Sequence, residues 1–121
     1  MRAVEIRSRD RAEPFVTEDG STIRELLGLT TAPVRSQSLA EATLAPGQAT
    51  HRQNHPESEE FYYVLDGAAE MEIDGECSSV GVGDAIVIPA GARHQITAGD
   101  AELRFLCCCS PPYRHEDTYF D

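Results

Sequence analysis

Between Gly47 and Gly67 the chain reads GQATHRQNHPESEEFYYVLDG, which packs His51, Gln53, His55 and Glu60 into ten residues. Imidazole nitrogens and carboxylate oxygens are the donors that hold divalent transition metals. His51, Gln53 and His55 stand at i, i+2 and i+4, so an extended strand points all three to one face. Glu60 heads the apolar run FYYVL. A carboxylate in that place either faces water at a strand end or is held by something positive, and two nearby imidazoles suggest a metal ion. A further histidine, His94, opens a run with Ile96 and Ala98 on its own face. Alone on an apolar face, such a histidine is ordinarily a core residue.

The elements that must position these side chains are short strands. Ala3 to Ile6, Thr22 to Leu27 and Ser36 to Leu44 read as strands, and Pro46-Gly47 as a turn. Phe61 to Leu65 and Ala69 to Ile73 follow, with Met71 and Ile73 on one face and Glu70 and Glu72 on the other. Asp74-Gly75 is a two-residue hairpin signal leading into Glu76 to Val80. Ala85 to Ile88, Arg93 to Ala98 and Glu102 to Cys109 complete the set, and Pro111-Pro112 ends the last. The acidic residues 113–121 read as a surface tail or an arm on a partner subunit, His115, Glu116 and Asp117 included. With no amphipathic helix of ordinary length, the fold class is all-β.

Length and composition narrow the function. A chain of 121 residues with 40% hydrophobic content suits one domain and one core. The formal charge of −11 argues against nucleic acid and anionic membrane surfaces, which select basic proteins. The N-terminus MRAVEIRSRD has no apolar run resembling a secretory signal, and no segment nears the roughly 20 apolar residues of a membrane span. A cytoplasmic location is the expectation. Cys77 stands alone and Cys107, Cys108, Cys109 stand in a row; none has CxxC spacing, and the three in a row read as small buried hydrophobes in a reducing compartment. Cys107 and Cys109 share a face, and no cysteine aligns with the metal-ligand candidates.

Taken together, the two histidine-bearing stretches resemble the two motifs of the cupin superfamily. The first, G-x5-H-x-H-x4-E-x6-G, falls on Gly47, Gln53, His55, Glu60 and Gly67. The second, G-x5-P-x-G-x2-H-x3-N, falls on Gly83, Pro89, Gly91, His94 and Ala98. The resemblance to a small single-domain bacterial cupin implies a double-stranded β-helix, or jelly-roll barrel, over residues 1–121: N-terminal strands and arm in 1–35, conserved barrel in 36–110, tail in 111–121. It also implies a homodimer. Two positions depart: Gln53 stands where the family has its first histidine, and Ala98 where it has asparagine.

The family positions leave His55, Glu60 and His94 as metal ligands. Two imidazoles and one carboxylate form the face used by non-haem Fe(II) sites, with positions open for water, substrate or dioxygen. One divalent transition metal per chain is expected, with Fe, Mn, Ni, Zn and Cu all compatible. Gln53 is either a neutral oxygen donor or a hydrogen-bonding neighbour. His51 is an alternative ligand lying about 6–7 Å beyond Gln53 along a strand, better suited to the rim. If Glu60 points inward, so do Tyr62 and Val64, and Tyr62 is a candidate hydrogen-bond donor to a metal-bound ligand. Phe61, Tyr63 and Leu65 then form an outward face that the N-terminal strands or a second subunit must cover. The expected function is a dioxygenase-like reaction on a small organic molecule with a polar head. The alternatives are a metal-dependent isomerase, lyase or cyclase, and a non-catalytic small-molecule-binding cupin.

Overall fold

The structure, a computed structural model, describes residues 4–120. Its strands are β1 (Phe15–Val16), β2 (Thr22–Leu27), β3 (Ser38–Leu44), β4 (Gln53–Asn54), β5 (Glu59–Asp66), β6 (Ala68–Ile73), β7 (Glu76–Gly81), β8 (Ala85–Ile88), β9 (His94–Ala98), β10 (Leu103–Ser110) and β11 (Tyr119–Phe120). They form two antiparallel sheets, β1-β2-β3-β10-β5-β8 and β11-β4-β9-β6-β7. The architecture is an all-β jelly roll made of two facing open sheets rather than a hydrogen-bonded closed barrel. Among the described residues no helix is long and apolar enough to cross a membrane.

Alternation builds the core. Along β5, Glu60, Tyr62 and Val64 are buried while Phe61 and Tyr63 are exposed, the period-two pattern of a strand with one face inward. Val64, Leu44, Leu103 and Phe105 from the first sheet meet Met71, Ile96 and Ala98 from the second. The Asp74-Gly75 hairpin has positive φ at both residues, the geometry of a type I′ turn. At Gly67, φ is +84° and a Cβ would sit 2.4 Å from the Glu102 carbonyl oxygen, so the turn between β5 and β6 needs glycine.

Several expectations change. Residues 4–8 belong to no strand, and Ala3 lies outside the described residues. The stretch from His51 to His55 is not one continuous strand: only Gln53–Asn54 is extended in the sheet. The alternation therefore fails, leaving His51 exposed and His55 buried. Residues 113–120 are not a loose surface arm. They hold a 3-10 turn, His115–Asp117, and β11, which pairs with β4. Finally, β1 and β2 lie at the opposite edge of their sheet from β5 and β8, so they do not cover the outward face of β5. Phe61, Tyr63 and Val87 remain 48%, 45% and 56% exposed.

Candidate metal centre

Three elements deliver three buried side chains to one point. Glu60 is the second residue of β5 and points inward, with Cys109 of β10 and Ile88 of β8 as its register partners. His94 opens β9 and is fully buried. His55 follows β4, and its carbonyl accepts a hydrogen bond from the Gly91 amide at 2.9 Å. Gly91 has φ +82°, and that left-handed turn presents its N–H to the first motif just before the chain enters β9 with His94.

The donor atoms are arranged as acceptors around a common point. Those of His55, Glu60 and His94 lie within 4.8 Å of one another. Glu60 Oε1 is 3.3 Å from His94 Nε2 and 3.5 Å from His55 Nε2. His94 Nδ1 lies 3.0 Å from the Ala92 carbonyl, so that nitrogen carries the proton and Nε2 keeps its lone pair. Thr118 Oγ1 gives its single proton to the Arg114 carbonyl at 3.1 Å. His55 Nδ1 is also 3.1 Å from that hydroxyl, and with its own proton on Nδ1 the ring turns a second lone pair, that of Nε2, toward Glu60. The Cys109 thiol donates to Glu60 Oε2 at 3.3 Å. Glu60 Oε1 and His94 Nε2 are buried without a hydrogen-bond partner.

Buried acceptors turned toward one another repel unless a positive charge sits between them. With metal–ligand bonds of about 2.0–2.2 Å, neighbouring ligand atoms stand roughly 3.0 Å apart in an octahedral site and roughly 3.4 Å apart in a tetrahedral one. The two separations, 3.3 and 3.5 Å, fall near the tetrahedral value, and the far nitrogen of each imidazole stands within hydrogen-bond distance of an oxygen, the arrangement of metal-ligating histidines. The three residues therefore fit a divalent ion.

The electrostatics point the same way. Burial pushes the Glu60 carboxyl upward, and the His55 and His94 imidazoles outweigh it, holding it down at about 2. Burial, reinforced by the Glu60 charge, pushes the Tyr62 phenol and the Cys109 thiol well above their usual ranges. Both remain neutral donors.

A cavity of about 470 Å³ opens from this point, with Ile23, Leu39, Ala42, Phe105 and Phe120 among its apolar walls. Tyr62 is buried in the wall, its ring nearly perpendicular to that of His94 at a centroid distance of 6.1 Å. Gln53 is half-buried, lines the cavity and is the register partner of His94. His51 also lines the cavity but is exposed. Its ring meets Phe120 edge-on at 6.0 Å, and its backbone N–H is donated to Asp19.

Sequence reasoning missed two residues at the centre and misplaced a third group. The expectation that no cysteine aligns with the site is corrected by Cys109, whose thiol touches Glu60. The signal was available, because Glu60 and Cys109 both fall on inward phases of their strands. Thr118 had no local signal. The tail that carries it is held by the Asp117 carboxylate, which accepts the Glu57 amide, and by an Arg114–Glu57 ion pair. Tyr113 lays its ring edge on His55 at 5.9 Å.

Comparison with known proteins gives the same picture. The family model described as "Cupin domain" matches residues 40–109. An uncharacterized protein of Methanocaldococcus jannaschii is 46% identical over 110 residues, covering 90% of this chain and 88% of that one. The dimethylsulfoniopropionate lyase DddW of Ruegeria pomeroyi is 37% identical over 84 residues, 68% of this chain and 53% of DddW. The oxalate decarboxylase of Bacillus subtilis superposes with a TM-score of 0.86 over 99% of this chain and 33% of the decarboxylase, at 22% identity.

Proposed function

The chain belongs to the cupin domain family, and on that footing we propose that it is a metal-dependent enzyme acting on a small organic molecule. His55, Glu60 and His94 hold one divalent transition metal per chain. The observation that carries this reading is the convergence of three buried acceptor atoms, two of them with no hydrogen-bond partner. When bound, such an ion supplies Lewis acidity or, as iron, a redox centre. The protein does the rest. The apolar walls bury the body of the substrate and exclude water, while Tyr62 offers a neutral phenol from the wall. Gln53, on the same face as His94, offers an amide oxygen, and His51 contacts ligand at the rim.

For the reaction, a two-histidine, one-carboxylate face with open positions supports dioxygenase-like chemistry with Fe(II). A second reading, a lyase or another non-oxidative reaction that uses the ion only for polarisation, is supported by the likeness to DddW, a lyase. Native protein is expected to contain about one metal equivalent per chain, lost in His55→Ala and in His94→Ala but retained in His51→Ala. Unchanged metal content in both of the first two variants overturns the site. Turnover of enolic or aromatic compounds that continues undiminished without oxygen removes the dioxygenase reading and leaves the lyase.

Phe61, Tyr63 and Val87 form the apolar patch through which a homodimer is proposed. Sedimentation should give twice the chain mass, reduced to one chain mass by Phe61→Glu. All four cysteines are free thiols, which fits a reducing compartment such as the cytoplasm.

A further inference from the structure

Three adjacent strands set Ser38, Cys109 and Glu60 side by side. Cys109 of β10 is the register partner of Ser38 on β3 and of Glu60 on β5. All three residues are buried, and side chains directly opposite one another in neighbouring strands share a face about 4.5–5.5 Å apart. Ser38 stands directly across the sheet from Cys109, and its hydroxyl oxygen accepts the Tyr113 amide at 2.9 Å. The thiol gives its proton to Glu60 Oε2 at 3.3 Å, the hydrogen bond that joins β10 to the site. Cys109 is not one of the three residues whose donor atoms cluster.

We propose that Cys109 is a positioning residue of the metal centre, whose thiol occupies one oxygen of Glu60 so that only the other faces the two imidazoles. This rests on the metal reading given above. A carboxylate with both oxygens free can chelate an ion through both and fill an extra coordination position. With Oε2 engaged by the thiol, Glu60 gives one oxygen, and the position it would otherwise fill stays open to substrate. The residue type suits the task. A thiol is a neutral donor on a long bond to sulfur, and its burial beside a carboxylate disfavours the second negative charge that a thiolate would add.

The test uses the full chain, stripped of metal with a chelator and titrated with Co(II), whose visible absorption reports coordination number. Removing an outer hydrogen-bonding partner of a metal ligand weakens binding about 10- to 100-fold. Cys109→Ala is expected to show that loss in chelator competition, together with a cobalt spectrum shifted toward higher coordination. Cys109→Ser keeps a donor on a shorter arm and should recover part of the affinity and move the spectrum back. A merely structural role of Cys109 predicts lower thermal stability with an unshifted cobalt spectrum, and that result overturns the proposal. So does a Cys109→Ala variant that binds cobalt as tightly as wild type. So does a sulfur-to-cobalt charge-transfer band in wild type that Cys109→Ala lacks, which makes Cys109 a ligand. Should Cys109→Ala fail to fold, Cys109→Val, which fills the space of the thiol but has no donor, takes its place, and an unshifted spectrum there counts against the proposal. Wild type that takes up no cobalt is a different failure, of the metal reading itself, and is recognised by its independence of residue 109.

Discussion

Glu60→Gln replaces a buried carboxylate by an amide of the same shape, and its effect can be worked from the site. Glu60 is 5% exposed and is held at about 2 against an ordinary 4.5, because the two imidazoles outweigh its burial. The gap between 4.5 and about 2, at about 1.4 kcal/mol per pH unit, corresponds to roughly 3 kcal/mol. The folded value is depressed, so this stability is present above pH 4.5 and is lost as pH falls toward 2. Glutamine does not titrate. Denaturant unfolding of chelator-treated proteins should therefore find wild type on the order of 3 kcal/mol more stable than Glu60→Gln at pH 7, with a gap of only about 1 kcal/mol near pH 3. Saturating metal should then stabilise wild type by about 4 kcal/mol at a thousandfold excess over its dissociation constant, and the variant by far less. A gap that stays constant with pH refutes the electrostatic argument. Equal stabilisation of both proteins by metal refutes Glu60 as a ligand.

Thr118→Val removes the hydroxyl hydrogen-bonded to His55 Nδ1, so metal affinity should fall about 10-fold or more by chelator competition and return in Thr118→Ser. Asp19 accepts from Thr17, Ser21 and the His51 amide. Burial pushes its carboxyl up, but the Ser21 and Thr17 hydroxyls and the backbone amides bring it below 3.8. Its contribution is therefore present above that pH and lost as pH falls further. Asp19→Asn should cost about 1 kcal/mol at pH 7 and progressively less in acid, measured by unfolding across pH. Gly67→Ala should destabilise by about 1–3 kcal/mol in denaturant unfolding, from its left-handed backbone and the clash with the Glu102 carbonyl.

The parts of this protein that are readable in its sequence are those in which a local period reports a local face. The alternation of Glu60, Tyr62 and Val64 with their polar and aromatic neighbours is enough to put Glu60 inside, and Asp74-Gly75 marks its hairpin. His94, with Ile96 and Ala98 on its face, reads as an inward residue for the same reason. The same rule misleads at His51, because it holds only while the backbone stays extended, and β4 is two residues long. Beyond two residues the phase is lost, and His51 ends exposed at the rim of the cavity while His55 is buried at its base. The tail is unreadable for a related reason. A two-residue strand has no period, and what fixes β11 is pairing with β4, about 65 positions earlier in the chain. Hydrophilic composition suggests a surface tail because it records the exposed side chains, whereas Thr118 and Asp117 act through a few specific hydrogen bonds.

Position 53 shows what such a departure does to the chemistry. Gln53 and His94 are direct partners across β4 and β9, so their side chains share a face, and the missing imidazole of the first motif is replaced by a neutral amide on the site's own side. Cys109, the other residue against the centre, is held neutral by burial and by the Glu60 charge. On the metal reading, a divalent ion among His55, Glu60 and His94 meets one negative charge from the protein and keeps one net positive charge in a buried place. Such a charge is costly to leave unbalanced. The walls around it are mostly apolar but include the carboxylates of Asp19, Glu25 and Glu116, so under the proposed function the charge is balanced by these side chains together with a polar head on the substrate.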